Sequence, residues 1–235
     1  MAEAMELQRN RRTDSMVGNL FRLMFGSIGS KIVMALTGLG LWVFIVAHLA
    51  GNLTVYAGAE TFNQYAMKLH ETPQLLWAVR IALLLGFPMH IFFAIRTAAF
   101  NKAARPVGYA YANKSRSTLA AKSMLLSGLV VLAFLLYHLA HFTYRVTGGA
   151  TDAQSPYQML VTGFQQWPIA LFYIVAQVLL AMHLSHGLYS LFQHLGLWGR
   201  RWTPFVHVFA LVVGYGLCLA FLSIPLSVLS GLIKL

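Results

Sequence analysis

The chain has 235 residues, of which 58% are hydrophobic and only 10% charged, and its formal net charge is +11. Such a high apolar content with so few charges excludes an ordinary soluble domain and indicates a multi-span membrane protein. The positive residues flank the apolar runs and form no basic stripe with interleaved aromatic residues, so we expect no nucleic-acid binding. A single cysteine, Cys218, excludes a disulfide framework and a cysteine-based zinc or iron–sulfur site.

The first 31 residues differ from the rest in being polar and basic. Their bases are Arg9, Arg11, Arg12, Arg22 and Lys31. This stretch is too long and too polar for a signal peptide. We interpret residues 1–31 as a cytoplasmic arm that lies on the membrane surface, and residues 32–235 as the membrane domain.

Five apolar runs follow, each of at least about 20 residues, the length that crosses a hydrocarbon core of roughly 30 Å. The predicted spans are residues 32–55, 75–100, 119–144, 167–192 and 204–232. Pro168 and Pro204 start spans four and five, where a missing N–H costs little, whereas Pro88 and Pro225 lie inside spans. We expect an all-α membrane protein with five transmembrane helices, no soluble domain and no internal sequence repeat.

The loops predict the orientation of the spans. Thirteen of the 17 lysine and arginine residues lie in the N-terminal arm, at the end of span two, or in the loops that follow spans two and four. The other two loops contain few bases and carry Glu60, Glu71 and Asp152. Because positive residues collect on the cytoplasmic side, we predict a cytoplasmic N-terminus and an external C-terminus.

Each of the first four spans contains a histidine deep inside it: His48, His90, His138 and His183. Ionisable side chains inside a membrane helix are costly and by default indicate function. His48 and His138 lie about 16 residues, or roughly 24 Å, from the inner ends of their spans, whereas His90 and His183 lie about nine residues, or roughly 14 Å, from theirs. These depths predict an outer His48/His138 pair and an inner His90/His183 pair.

A neutral imidazole can bind a metal through one ring nitrogen while the other bonds to a carbonyl oxygen. Two such rings on facing helices suit a six-coordinate, low-spin haem that transfers single electrons. We therefore expect two haem b groups without thioether attachment. The spacing leaves His141 and His186 open as ligands, because each follows His138 or His183 by three residues.

Several longer stretches carry a resemblance. They are SKIVMALTGLGL and AHLAGNL in span one, FNQYAMKLHETPQLLWAVRIALL leading into span two, YHLAHFT in span three and MHLSHGLYSLFQHLG in span four. In these stretches the chain resembles the five-helix, dihaem cytochrome b membrane anchors of bacterial succinate dehydrogenases and fumarate reductases. The resemblance covers nearly the whole chain, and its most specific feature is His183 followed by Gly187, Leu188 and Tyr189.

The resemblance implies that the first four spans form a bundle around two stacked haems. In that family one ligand comes from each of these helices, which implies His48 with His138 for the distal haem and His90 with His183 for the proximal haem. The same resemblance favours these residues over His141 and His186.

For the propionates of the proximal haem we expect His194 as a partner, because it lies about three turns after His183 toward the cytoplasm and the family tends to place a cationic residue there. Arg96 and Lys31 are further candidates on the same side.

The implied function is electron transfer in a succinate:quinone oxidoreductase of the bacterial inner membrane. The implied partners are an iron–sulfur subunit, docked on the basic cytoplasmic loops, and a flavoprotein subunit that carries the active site for succinate. The quinone is menaquinone or ubiquinone. For its proton transfer we expect Glu60, His70 and Glu71 at the outer end, and the alternative is an inner site near Ser30 and Lys31.

Two other functions are compatible with buried histidines. A cytochrome b of the nitrate reductase or formate dehydrogenase type tends to draw two ligands from one helix, whereas the matched histidines here fall on four. A haem-free transporter would use the buried histidines as proton relays.

Overall fold

The computed structural model describes residues 16, 18–19, 21–104, 119–149, 151–197 and 199–235. All regular secondary structure in these residues is helical. Six bases of the predicted N-terminal arm and second loop lie outside the described residues: Arg9, Arg11, Arg12, Arg105, Lys114 and Arg116.

Five helices are long and apolar enough to cross a membrane, which confirms this part of the prediction. Spans one to five are Ser27–Leu53, Pro73–Ala103, Met124–His138, Trp167–His194 and Thr203–Leu229. Spans two, four and five each have a proline in the first helical turn, where its missing N–H is tolerated.

The limits of two spans differ from the prediction. Span one begins at Ser27, so the last residues of the predicted arm belong to the membrane helix. The predicted start of span three forms a separate turn, Leu119–Lys122, because Ser123 leaves the helical conformation with ψ 4°. At its other end span three continues as a π-helical segment, Leu139–Thr143.

Two shorter helices that we did not predict, Ala59–His70 and Pro156–Gln165, join the spans at one end of the bundle. We call them the first and second connecting helices, and we call the opposite end of the bundle the Lys31 end. Gly58, with φ 98°, allows the turn into the first connecting helix. The N–H of Tyr157 donates to Oδ1 of Asn63 at 3.0 Å, so the two connecting helices are bonded to each other.

Span four is the most enclosed of the five spans. Nine of its residues are buried, whereas span two buries only Phe93 and Thr97. Span four packs against spans one, three and five, and its Tyr173 joins the second connecting helix and span five in one apolar core. The exposed leucines of spans one and two, such as Leu36 and Leu84, suit contact with lipid.

Close packing of spans four and five should make Gly214 intolerant of any side chain. A Cβ atom at Gly214 would lie 2.8 Å from the backbone nitrogen of Ser185, and only separation of the helices would relieve that contact. We expect Gly214→Ala to destabilise the protein by about 1–3 kcal/mol, measured as a lower melting temperature in detergent.

The matched control is Gly216→Ala on the same helix, where an added Cβ meets no heavy atom within 4 Å. Its melting temperature should not fall. Equal melting temperatures for the two variants would contradict the observed packing.

Candidate functional site

The histidines of the first and third spans, the predicted outer pair, face each other. The ring centroids of His48 and His138 are 5.8 Å apart, and the ring planes are at 89°. Each imidazole also packs on the phenylalanine one turn earlier in its own helix, Phe44 at 5.3 Å and Phe134 at 5.7 Å. The structure thus brings together the two rings that we paired by their predicted depth in the membrane.

The histidines of the second and fourth spans, His90 and His183, are the predicted inner pair, and both His90 and His186 lie within electrostatic range of His183. Nδ1 of His90 is 3.1 Å from the carbonyl oxygen of Met34 and 3.3 Å from Oγ1 of Thr37. Nδ1 of His183 is 3.2 Å from Oγ of Ser127. Each ring therefore contacts a hydroxyl of the preceding span, and His90 also contacts a main-chain carbonyl there.

These contacts reveal an internal repeat, so the expectation that the chain contains none is wrong. Residues 34–50 and 124–140 align without a gap and are identical at eight of 17 positions. The identical pairs are Met34/Met124, Leu36/Leu126, Gly38/Gly128, Leu39/Leu129, Phe44/Phe134, His48/His138, Leu49/Leu139 and Ala50/Ala140. The constant offset of 90 residues could have been found by aligning the sequence with itself. Hydropathy does not reveal it, because most differences exchange one apolar residue for another and both segments simply read as apolar.

The glycines of the repeat allow the inner rings to approach the neighbouring helix. A Cβ atom at Gly38 would lie 3.0 Å from Cε1 of His90, and one at Gly128 would lie 3.4 Å from Cε1 of His183. The first distance is tighter than ordinary van der Waals contact, and the second is ordinary contact. A side chain at Gly38 would therefore press on the imidazole of His90, whereas at Gly128 the ring of His183 leaves room for little more than a methyl group.

His141 occupies a different environment from His138. It is fully buried, its ring stacks on Phe142 with centroids 4.0 Å apart, and its Nδ1 is 3.1 Å from the hydroxyl of Tyr173. The same hydroxyl is 3.4 Å from Nδ1 of His138. A Cβ atom at Gly163 would lie 2.6 Å from Nε2 of His141, so the second connecting helix encloses this ring.

The second alternative ligand, His186, makes a different contact from His183. Its Nε2 bonds to Oγ of Ser190 on its own helix at 3.0 Å, whereas His183 reaches across to Ser127. The ring that faces His48 is that of His138, and the choice of His183 over His186 stays a prediction.

His194 and Arg96, two of the candidates for binding haem propionates at the Lys31 end, have different neighbours. His194 is the last residue of span four and lies within electrostatic range of Lys31. The guanidinium of Arg96 instead donates to the carbonyl oxygen of Phe25 at 2.7 Å and lies over the ring of Phe100. Arg96 therefore already ties span two to the segment that precedes span one.

The acid–base residues proposed for the quinone do not form one cluster. Glu60 and Glu71 lie at opposite ends of the first connecting helix, roughly 16 Å apart along its axis. Glu60 accepts a hydrogen bond from Gln64 at 3.1 Å, and His70 bonds to the carbonyl oxygen of Ala66 at 2.8 Å. All three proposed side chains, Glu60, His70 and Glu71, are exposed.

A cavity of about 280 Å³ lies at the same end of the bundle. It is lined by Val55, Tyr56, Gly58, Tyr157, Leu232 and Ile233. Glu60 follows the lining residue Gly58 by two positions, whereas Glu71 lies one helix length away. The cavity is therefore closer to Glu60 than to Glu71.

Among the described residues, no three His, Cys, Asp or Glu side chains converge where they could hold a metal ion. No protein-family model matches the chain, and no match was found among curated proteins or among solved structures.

Tyr173 should be required for the stability of the His138/His141 region. Nε2 of His141 already has no hydrogen-bond partner among the described residues, and Tyr173→Phe would leave its buried Nδ1 unpaired as well. We expect this variant to lose about 1–3 kcal/mol of stability, measured by thermal unfolding in detergent. Tyr215→Phe, at a site that is 41% exposed, is the control; equal losses in the two variants would show that the hydrogen bond to His141 contributes nothing.

Proposed function

We propose that this chain is the membrane-anchor and electron-transfer subunit of a succinate:quinone oxidoreductase, within the dihaem cytochrome b family that it resembles. In this proposal His48 with His138 and His90 with His183 are the axial ligands of two haem b groups. The observation that supports it best is the arrangement of the histidines as two pairs from separate helices, at two levels of one bundle.

The residues present fit haem better than a bare metal ion. Each pair offers only two ligands, whereas a metal ion such as zinc is usually held by three or four protein side chains. Since no third His, Cys, Asp or Glu completes either pair within the described residues, a macrocycle that brings its own four ligands is the group that fits. Such haem groups supply one-electron carriers at both levels of the membrane.

Residues around the pairs also suit a haem. Gly38 and Gly128 keep the helices beside the inner rings free of side chains. The indole N–H of Trp42, which lies on span one between Gly38 and His48, is buried and has no hydrogen-bond partner among the described residues. A group that carries carboxylates would give this donor a partner.

The partner proteins in this proposal are an iron–sulfur subunit and a flavoprotein subunit. Exposed bases at the Lys31 end suit docking of the iron–sulfur subunit: Arg22, Lys102, Lys122, Arg200 and Arg201. Attraction of the same bases to anionic lipid would orient this end toward the cytoplasm of the bacterial inner membrane. Succinate oxidation itself belongs to the flavoprotein subunit.

For the quinone we propose the cavity beside Gly58, at the end of the bundle nearest the outer histidines. Reduction of menaquinone or ubiquinone consumes two electrons and two protons, so the site needs an acid–base group within reach. Glu60 is the carboxylate next to this cavity along the chain, and its present partner, Gln64, lies one turn away on the same helix.

The ligand assignment is tested by alanine substitution in the chain purified with its partners. His48→Ala or His138→Ala should remove the outer haem and leave the inner one, and His90→Ala or His183→Ala should do the reverse, because each pair completes one iron. Haem content and a reduced-minus-oxidised visible spectrum measure the result. The matched controls His141→Ala and His186→Ala should retain both haems.

Two outcomes would contradict this assignment. Haem loss in His141→Ala with retention in His138→Ala would show that the wrong histidine of span three was assigned. A purified wild-type complex without a Soret band would end the proposal and favour a haem-free transporter.

The quinone site predicts different effects for two carboxylates. Glu60→Gln should lower quinone-linked turnover by roughly 10²-fold or more, the usual scale for loss of a positioned acid or base, while both haems and their reduction by succinate remain. Glu71→Gln, at the far end of the same helix, should turn over normally. If both variants turn over normally, the better site is the inner one near Lys31 and Ser30, whose buried Oγ has no partner among the described residues.

A further inference from the structure

Thr37 and Ser127 occupy the same position of the repeat, and each touches an inner histidine. Each hydroxyl also bonds to its own helix: Oγ1 of Thr37 is 2.8 Å from the carbonyl oxygen of Val33, and Oγ of Ser127 is 3.1 Å from that of Met124. A hydroxyl has only one proton to donate. Since a carbonyl oxygen takes that proton, the hydroxyl can meet the imidazole only as an acceptor.

A second partner of His90 leads to the same conclusion. The carbonyl oxygen of Met34, 3.1 Å from Nδ1 of His90, can only accept. The hydroxyl at each ring, together with this carbonyl at His90, therefore requires a proton on Nδ1. In a neutral imidazole this leaves the lone pair on Nε2, the nitrogen that is free to bind a metal.

We propose that the segments Met34–Gly38 and Met124–Gly128 are matched positioning elements that lock His90 and His183 in the Nδ1-protonated tautomer and so assign Nε2 to the metal. Thr37 and Ser127 are the positioning residues of this lock. This inference rests on the proposed function, because it names how the chain prepares the inner pair for its haem. A hydrogen bond to the second nitrogen of a ligating imidazole also raises its basicity as a ligand.

The outer pair is held in another way. Nδ1 of His138 meets the hydroxyl of Tyr173 at 3.4 Å, and this hydroxyl is shared with His141. The hydroxyls of the repeat lie roughly 16 Å away along the helix, eleven residues before His48 and His138. The proposed lock therefore acts only on the inner pair, so the midpoint potential of the outer haem serves as an internal reference.

The test uses Thr37→Val, Ser127→Ala and the double variant in the complex that carries both haems. Loss of one hydrogen bond makes the imidazole a weaker donor to oxidised iron, so the inner midpoint potential should rise. The expected change is about fivefold in the equilibrium constant for reduction, or about 40 mV for one electron, in each single variant. The outer potential should stay at its wild-type value.

Four controls separate the lock from general destabilisation. Thr37→Ser and Ser127→Thr keep the hydroxyl and should keep the wild-type inner potential. Thr54→Val and Ser185→Ala each remove a hydroxyl that bonds a carbonyl of its own helix, at 2.7 and 3.0 Å, without a bond to a histidine ring. They should leave both potentials unchanged.

A second readout needs no haem. Nitrogen NMR of the histidine-labelled full chain, produced without haem, should show His90 and His183 protonated on Nδ1, with signals assigned from His90→Gln and His183→Gln. Thr37→Val and Ser127→Ala should mix the tautomers of the ring that each contacts. Nε2-protonated rings in the wild-type chain would overturn the lock.

Different results would overturn the lock and the proposed function. Two bound haems with an unchanged inner potential in Thr37→Val and Ser127→Ala would overturn the lock and leave the proposed function intact. A complex that binds no haem would overturn the proposed function, and the tautomers measured by NMR would then decide the lock alone.

Discussion

The constraint on which this structure depends is that a polar group inside a membrane must find its partner within the protein. Imidazoles deep in an apolar bundle cannot be solvated by water, and a ring nitrogen of His90, His138 and His183 is bonded by a neighbouring span. The partners are the carbonyl of Met34, two small hydroxyls and the phenol of Tyr173. This requirement couples the sequences of spans one and three to the histidines on spans two and four.

Hydropathy, span length and helical rise were enough to predict the five spans and the facing of His48 with His138. These properties depend on composition and on regular geometry, which change little with tertiary context. Spacing alone did not show which ring of span three faces His48, because three residues of helical spacing leave His138 and His141 near one face; in the structure it is His138. Burial of His141 under Gly163 separates the two environments.

The features that we did not predict depend on contacts between distant segments. The first connecting helix is short and polar, and an isolated helix of that length is marginal in water; here Asn63 bonds it to the second connecting helix. The end of span three becomes π-helical where His141 enters its enclosed pocket. Separation of Glu60 from Glu71 follows from the same unpredicted helix, because it extends between them.

The distribution of the paired histidines has a consequence for how the protein is assembled. Spans one and two form one half and spans three and four another, and in each half the hydroxyl of the repeat contacts the imidazole of the next span. Neither half contains a complete pair, since every pair takes one ring from each. Packing of the two halves against each other would therefore complete both histidine pairs in one step of biogenesis.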